Sequence, residues 1–235
     1  MTSTSRVLSP RRLYRSLSPE GTVTVLFSDI EDSTLLNAEL GDQRWLDVLR
    51  SHNAVVRRQV RRHAGYEVKS QGDGFMVAFA SARRAIHCAV AIQRAFAAHR
   101  SSHCGRLRVR IGLHTGETIK EDNDFYGRNV IVAARIADQA RGGEILVSSL
   151  VKELVESASD ISFEQDREVE LKGLLDTKRI FRVAWDRRPE APPARRRYNG
   201  QSEPSREQYL KLLKGPRRPS LGWILRSPGG ASFRS

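Results

Sequence analysis

The chain has 235 residues, of which 39% are hydrophobic, and a formal net charge of +13. These values fit one ordinary globular domain with terminal extensions. The sequence contains no apolar run long enough for a membrane span, and its basic N-terminus lacks the apolar stretch of a secretory signal. Two cysteines, Cys88 and Cys104, exclude a disulfide framework and lie in no zinc-like cluster. We therefore expect a cytoplasmic protein with reduced thiols.

The positive charge belongs to the two ends of the chain. Residues 1–19 carry four arginines and no acid, and residues 187–235 carry 12 basic residues against three glutamates. Subtracting +4 and +9 from +13 leaves zero for residues 20–186. We therefore expect a domain at 20–186 between two disordered basic tails, with a short amphipathic helix possible at 205–214. The neutral domain argues against a specific nucleic-acid partner, although the tails could contact anionic partners.

Hydrophobic spacing predicts the elements in chain order. The first six are a strand at 22–27, a helix at 42–63 that stops at Gly65, strands at 66–69 and 75–79, a helix at 81–98 and a strand at 107–114. A helix at 127–140, a strand at 144–147, a short helix capped by Ser148, and strands at 161–163, 169–171 and 180–183 follow. The leading β-α-β-β-α-β order indicates an α+β fold with a ferredoxin-like core and additional strands and helices.

Two aspartates stand where a metal site can form. Asp29 ends an apolar strand, and Asp73 lies between Gly72 and Gly74 in a predicted hairpin. Mg²⁺ prefers one or two carboxylates together with phosphate oxygens. Aspartate is also common in turns for structural reasons, and for Asp73 taken alone that interpretation is favoured. The pair together indicates a metal site that acts on a nucleoside triphosphate.

Five ordered segments carry a family resemblance. They read TVTVLFSDIEDST at 22–34, KSQGDGFMVAF at 69–79, RIGLHTG at 110–116, DFYGRNVIVAAR at 124–135 and GGEILVS at 142–148. In this order they resemble the catalytic domain of class III adenylate and guanylate cyclases, over nearly all of residues 20–186. Each segment alone is moderately specific, whereas the ordered set is highly specific.

The resemblance implies a metal and phosphate site near the first strand. Asp29 and Asp73 resemble the two metal-binding aspartates, with the Ile30 carbonyl as a further ligand, and two Mg²⁺ or Mn²⁺ ions per site. The loop at 30–34, with Ser33 and Thr34, resembles the phosphate cradle, a task that suits backbone N–H groups opening a helix.

The resemblance also implies roles for five charged residues. Lys69 and Asp124 resemble the pair that reads the base and favours ATP over GTP. Arg110 and Lys178 resemble phosphate-contacting cations, and Arg135 resembles the arginine that stabilises charge in the transition state. Ordinary alternatives remain open, because Lys69 is also a strand-end lysine, Arg110 sits on a half-exposed strand, and Lys178 lies where the match is weak.

The implied reaction converts ATP to 3′,5′-cyclic AMP and pyrophosphate, which makes the chain a phosphorus-oxygen lyase. In this family one subunit supplies the metal aspartates and its partner supplies the base-reading and transition-state residues. Since this chain carries both sets, the resemblance implies a head-to-tail homodimer with two sites.

One position departs from the family pattern. Ile131 stands where the family has an asparagine four residues before the transition-state arginine. Asn129 is two residues away and should face another side of the helix, whereas Arg128 shares the face of Ile131 and Arg135. The chain is therefore either an active adenylate cyclase or a weakly active or inactive cyclase-like module that binds nucleotide or regulates a partner.

Overall fold

The computed structural model describes residues 20–98, 107–174 and 176–186. Both tails, the helix expected at 205–214 and Cys104 lie outside these residues. The described strands are β1 (Glu20–Ile30), β2 (Tyr66–Gln71), β3 (Gly74–Phe79), β4 (Val109–Glu121), β5 (Asp124–Tyr126), β6 (Ile145–Ser148), β7 (Phe163–Glu170) and β8 (Thr177–Val183). The described helices are α1 (Ser33–Leu40), α2 (Asp42–Arg62), α3 (Ala82–Ala98), α4 (Arg128–Gln139) and α5 (Ser149–Leu154).

The strands form one sheet in the order β2-β3-β1-β4-β6-β8-β7, with β5 paired to β4. β1 lies at the centre of the first four strands and runs antiparallel to both β3 and β4. The order β2-β3-β1-β4, with α2 and α3 as the connections, is the ferredoxin-like core that the sequence predicts. β6, β8 and β7 extend the sheet beyond β4, and none of the described helices is long and apolar enough to cross a membrane.

Side chains on both faces of β1 are buried, since its alternate residues point to opposite sides of the sheet and join different clusters. Leu26 joins the larger cluster with residues of α2, α3 and α5, whereas Val25 joins a cluster that contains Ala133 of α4. Helix α4 lies close to β4. A Cβ atom at Gly112 would stand 2.2 Å from the backbone nitrogen of Ala137. This close packing fixes the helix that carries Ile131 and Arg135.

The prediction of two strands at 161–163 and 169–171 was wrong, because a single strand, β7, spans Phe163–Glu170. Charged residues fill its middle and hide the strand pattern. As an edge strand it packs Phe163 and Val169 against the core near its two ends and forms ion pairs between them. Arg182 pairs with Glu164, Arg179 with Asp166, and Arg167 with Glu144.

Helix α2 ends three residues before the predicted stop at Gly65. Ala64 adopts a left-handed conformation with φ of 55°. The N–H of Gly65 donates to the Val60 carbonyl at 2.9 Å, and the N–H of Ala64 to the Arg61 carbonyl at 3.4 Å. This is the Schellman arrangement, in which glycine usually takes the left-handed position. Gly65 serves a different need, because a Cβ atom there would meet the Phe79 ring at 2.7 Å.

Ala64→Gly is therefore expected to stabilise the chain by about 0.5–1 kcal/mol, because glycine adopts a positive φ without steric cost. The matched control is Ala54→Gly, at an exposed position inside α2, which should destabilise by about 1 kcal/mol. Urea unfolding of both variants measures the difference. A loss of stability in Ala64→Gly would contradict the helix end described above.

Candidate active site

Asp29 and Asp73 converge on a single backbone group. Asp29 lies near the end of β1 and Asp73 in the turn between β2 and β3. The N–H of Ile30 donates to Asp29 Oδ1 and to Asp73 Oδ2, each at 3.0 Å. Among the described residues no group of three or more His, Cys, Asp or Glu side chains is placed to hold a metal. Two carboxylates therefore meet without further acidic ligands, a donor set that suits Mg²⁺ or Mn²⁺ completed by phosphate oxygens.

The two carboxylates differ in pKa. Burial raises the pKa of Asp73, and the hydrogen bond and negative charge of Asp29 raise it further. Burial also raises the pKa of Asp29, but hydrogen bonds with Asp73 and Arg110 outweigh burial and leave it below the ordinary value. Like charges held this close are relieved by a cation between them.

Arg110 provides such a positive charge within the chain. It faces Asp29 directly in the pairing of β1 with β4. Its Nη2 donates to Asp29 Oδ2 at 2.5 Å, and its Nε donates to the same oxygen at 3.2 Å. Both residues line a cavity of about 310 Å³ with Lys69 of β2 and Ala134 of α4. The predicted phosphate-contacting cation thus adjoins the carboxylates, and its contact with phosphate stays a prediction.

The loop after β1 supports the N-terminus of α1. Ser33 and Thr34 open this helix, where backbone N–H groups have no intrahelical partner. Glu31 anchors the loop, since its Oε1 accepts the N–H of Gly142 at 2.7 Å. Asp32 precedes the helix with φ of 56° and makes no side-chain cap. The arrangement fits the predicted phosphate cradle, but it carries an acidic residue in a left-handed conformation that sequence reasoning missed.

Lys69 and Asp124 meet although 55 residues separate them in sequence. Lys69 Nζ donates to Asp124 Oδ2 at 2.6 Å. Burial raises the pKa of Asp124, but the hydrogen bonds from Lys69 and the Phe125 N–H outweigh it and hold the pKa below the ordinary value. β5 makes this contact possible because it turns back on β4 and brings Asp124 to the edge of β2. The structure thus brings the two candidate base-reading residues together.

Ile131 and Arg135 lie one turn apart on α4. Ile131 is 50% exposed, and Arg135 Nη1 donates to Asp138 Oδ2 at 2.9 Å. Asn129 faces elsewhere, as its spacing predicts. Its Oδ1 contacts His114 Nε2 at 3.1 Å, and its Nδ2 donates to the Glu117 carbonyl at 2.8 Å. Because these contacts use its amide, Asn129 does not stand in for the asparagine that the family has at position 131.

His114 links β4 to α4 and α5, a connection that sequence reasoning missed. Nε2 of His114 faces the Asn129 Oδ1 acceptor, so the ring proton is assigned to Nε2, and Nδ1 accepts the Ser148 hydroxyl at 2.8 Å. The Nε2–H then donates to Asn129. Burial lowers the pKa of His114, and the nearby charge of Lys178 lowers it further, despite the hydrogen bond to Asn129. A neutral imidazole thus holds the first turn of α4. The spacing of a strand histidine and a helix-capping serine carried no signal for this contact.

Lys178 and Arg135 do not line the cavity beside Asp29. Lys178 lies on β8, where its Nζ is 3.7 Å from Asp176 Oδ2. Arg128 Nη2 contacts the same Asp176 oxygen at 3.2 Å. Within one chain Asp29, Asp73 and Arg110 therefore come together. Lys69 lines the same cavity, although the resemblance assigns base reading to the partner subunit, whereas Arg135 and Lys178 lie outside this cavity.

Comparison with known proteins identifies the class of this domain. The family model of the adenylate and guanylate cyclase catalytic domain matches residues 16–183. The chain therefore belongs to this family, and the resemblance carried by its ordered motifs is confirmed.

Relatives support the same assignment. An adenylate cyclase of Podospora anserina is 34% identical over 157 residues, which cover 56% of this chain and 7% of that protein. An uncharacterized protein of Mycobacterium tuberculosis is 33% identical over 141 residues, which cover 59% of this chain and 47% of that protein. The chain thus matches less than a tenth of the fungal relative and about half of the mycobacterial one.

Solved structures share the fold. The adenylyl cyclase CyaB of P. aeruginosa is 25% identical, with a TM-score of 0.64, covering 74% of this chain and 98% of that one. A Trypanosoma brucei adenylate cyclase is 28% identical, with a TM-score of 0.65, covering 72% and 90%. The guanylyl cyclase Cya2 is 26% identical, with a TM-score of 0.64, covering 70% and 92%. Because cyclases named for either nucleotide share this fold, the choice of base depends on individual side chains.

Proposed function

We propose that this chain is an adenylate cyclase that converts ATP to 3′,5′-cyclic AMP and pyrophosphate. The convergence of Asp29 and Asp73 on the Ile30 N–H, in a domain of the cyclase family, is the observation that carries the proposal. In the reaction the ribose 3′-oxygen forms a bond to the α-phosphorus, and the bond from that phosphorus to the bridging oxygen breaks. The hydroxyl proton leaves to solvent, and pyrophosphate departs.

Asp29, Asp73 and the Ile30 carbonyl are the groups that would hold Mg²⁺ or Mn²⁺. Two such ions would make the 3′-hydroxyl a better nucleophile and neutralise charge on the leaving pyrophosphate. The protein contributes positioning and electrostatics, which dominate phosphoryl-transfer catalysis. Arg110 is paired with Asp29 in the chain alone, and in the complex its guanidinium is free to turn to a phosphate oxygen.

The pair of Lys69 and Asp124 supports ATP as the substrate. A lysine can donate to a ring nitrogen of adenine, and a carboxylate can accept from the adenine amino group. Guanine presents the opposite pattern of donor and acceptor at these positions. In the chain alone Lys69 and Asp124 form an ion pair at 2.6 Å. The incoming base has to replace this contact with one hydrogen bond to each residue.

The location of Arg135 and Lys178 supports a head-to-tail homodimer. Neither lines the cavity beside Asp29, although both match residues that act on the nucleotide in the family. A second copy placed head to tail would bring its own Arg135 and Lys178 to that cavity. Two-fold symmetry then creates two equivalent sites.

Product analysis on the purified chain tests the proposal. With Mg²⁺ or Mn²⁺ we expect cyclic AMP from ATP in excess of cyclic GMP from GTP, and loss of product in Asp29→Ala. Excess cyclic GMP would overturn the choice of base. Absence of both products, with either metal, would overturn the proposed enzyme.

A weakly active cyclase-like module is the second candidate, and the exposed Ile131 favours it. An aliphatic side chain cannot orient the ribose, and one oriented polar contact to a transition state is worth about 10²-fold in rate. We expect Ile131→Asn to raise kcat about tenfold, since water replaces part of the lost contact. The control is Leu154→Asn, an exposed aliphatic residue on α5 that should leave kcat unchanged. A lower kcat in Ile131→Asn would show that position 131 does not face the nucleotide.

A further inference from the structure

A second cavity, of about 360 Å³, lies where the end of α2 meets the start of α3. Its lining is basic and is formed by Arg62, His63, Ala64, Arg83, Arg84 and His87. None of these residues is acidic, although residues 20–186 together carry no net charge. The cavity shares no lining residue with the one beside Asp29. Positive charge is therefore concentrated at a place that the proposed cyclase reaction does not use.

Close packing holds the end of α2 beside the start of α3. Gly65 follows the end of α2 and lies against Phe79, the last residue of β3, so that a Cβ atom at Gly65 would stand 2.7 Å from the Phe79 ring. Helix α3 begins three residues after Phe79, at Ala82. Because no side chain separates the chain at Gly65 from β3, the basic ends of the two helices are held side by side.

The cavity is separated from the metal site by the length of a strand. Asp73 precedes β3, whereas α3 follows it, and the six residues of β3 span about 20 Å. A ligand in the cavity would therefore occupy a site of its own and would not contact the groups that hold the metal ions.

Two of the three arginines have no carboxylate partner in the described part of the chain. Asp160, on the loop before β7, pairs with Arg83 at 2.7 Å, and its other oxygen lies 3.0 Å from His87 Nε2. Arg62 and Arg84 form no ion pair with a described residue, and both are exposed. Guanidinium groups gathered in this way repel one another, so an anion bound between them lowers the free energy.

We propose that this cavity binds a compact anion with two adjoining phosphate groups, either free pyrophosphate or the diphosphate of a nucleotide. A guanidinium binds two phosphate oxygens at once, so the unpaired Arg62 and Arg84 match a ligand with two phosphate groups. A volume of about 360 Å³ lies within the range of small-molecule sites. Nucleic acid, in contrast, is bound by a longer row of cations that contact successive phosphates. The inference does not depend on the proposed function.

Calorimetry of the full chain with inorganic pyrophosphate, in buffer freed of divalent metal ions, tests the site without turnover. Under this condition the carboxylates of Asp29 and Asp73 repel the anion, which suppresses binding at the metal site. We expect Arg84→Gln to weaken binding about three- to tenfold, and Asp160→Asn to tighten it by a similar factor, because the two changes alter the charge in opposite directions. The matched control is Arg94→Gln, which should leave binding unchanged. Arg94 is also exposed on α3 and forms no ion pair with a described residue, but it does not line the cavity.

A second titration with ADP identifies the source of the diphosphate. Tighter binding of ADP than of pyrophosphate, weakened by Arg84→Gln, would indicate a nucleotide, and tighter binding of pyrophosphate would indicate the free ion. Arg62→Gln, on α2, should weaken either anion by a factor similar to that of Arg84→Gln, because the proposed ligand contacts both helices.

Equal affinity of the unchanged chain and Arg84→Gln for both anions would overturn the site. Equal weakening by Arg84→Gln and Arg94→Gln would also overturn it, since diffuse attraction to a basic chain would then explain the binding. A short duplex DNA that binds more tightly than either anion, and that both variants weaken equally, would assign these arginines to nucleic acid instead. Because none of these measurements needs cyclic nucleotide formation, the site and the proposed function are tested separately.

Discussion

Asp73→Asn is expected to lower kcat by about 10³-fold or more. Bound metal stabilises the transition state by several kcal/mol, and each 1.4 kcal/mol lost lowers the rate about tenfold. Asparagine keeps the size of the side chain and can still accept the Ile30 N–H, but it removes one of the two charges that would hold the metal ions. Initial rates with saturating ATP measure the effect. A kcat within tenfold of the unchanged chain would contradict the role of Asp73.

The same substitution should stabilise the folded chain. The pKa of Asp73 is raised in the folded state by burial and by Asp29, so the folded chain holds this proton to higher pH than the unfolded chain. Stability is therefore lost as the pH rises from the ordinary aspartate pKa through the raised one, and at pH 7 the ionised carboxylate is destabilising. We expect asparagine to raise Tm at pH 7 by about 1–3 °C, and by less at pH 4.

Asp47→Asn serves as the control for both effects. Asp47 is an exposed carboxylate on α2 that contacts Arg50 at 3.3 Å, so its loss should change neither kcat nor Tm appreciably. A higher Tm combined with a lower kcat in Asp73→Asn would show that Asp73 serves activity while destabilising the folded chain. A fall in Tm in Asp73→Asn would show that its hydrogen bond to Ile30 outweighs the repulsion from Asp29.

Lys69→Glu is expected to lower the ratio of kcat/KM for ATP to that for GTP about 10²-fold or more, because a site built to hydrogen-bond one base leaves its polar groups unpaired with the other. The glutamate replaces a donor with an acceptor and also stands against Asp124 as a like charge. The ratio is measured with both nucleotides on one preparation. Lys172→Glu makes the same charge change at an exposed position between β7 and β8 and should leave the ratio unchanged. An unchanged ratio in Lys69→Glu would show that Lys69 does not take part in base recognition.

Periodicity predicted the elements that build the core. Apolar residues at helical spacing placed α2 and α3 to within a residue or two, and the apolar runs of β1 and β3 identified the central strands. The sequence also predicted the main pairs of the site. Asp29 and Asp73 meet at Ile30 because the ferredoxin-like order pairs β1 with β3. Lys69 meets Asp124 as the resemblance implies, but the contact is made through β5, which lies outside that core.

Features that depend on tertiary contacts escaped prediction. β5 has only three residues and exists because β4 continues past His114 far enough to pair with it. No local pattern signalled the left-handed conformation of Asp32, although aspartate adopts it more readily than most residues. The link from His114 to Asn129 joins residues whose proximity follows from the packing of α4 on β4. The single strand β7 was predicted as two, because the charged residues between Phe163 and Val169, which form ion pairs with β8, interrupt the apolar pattern.

The central claim, a cyclase site shared between two copies of the chain, is tested most directly by mixing two inactive variants. Asp29→Ala retains its Arg135, and Arg135→Ala retains both aspartates, so a mixed dimer has one intact site and one doubly impaired site. With random pairing, half of the dimers are mixed, and each mixed dimer has one working site of two. We therefore expect about one quarter of the activity of the unchanged chain to return. A mixture that stays inactive while the unchanged chain forms cyclic AMP would contradict the shared site.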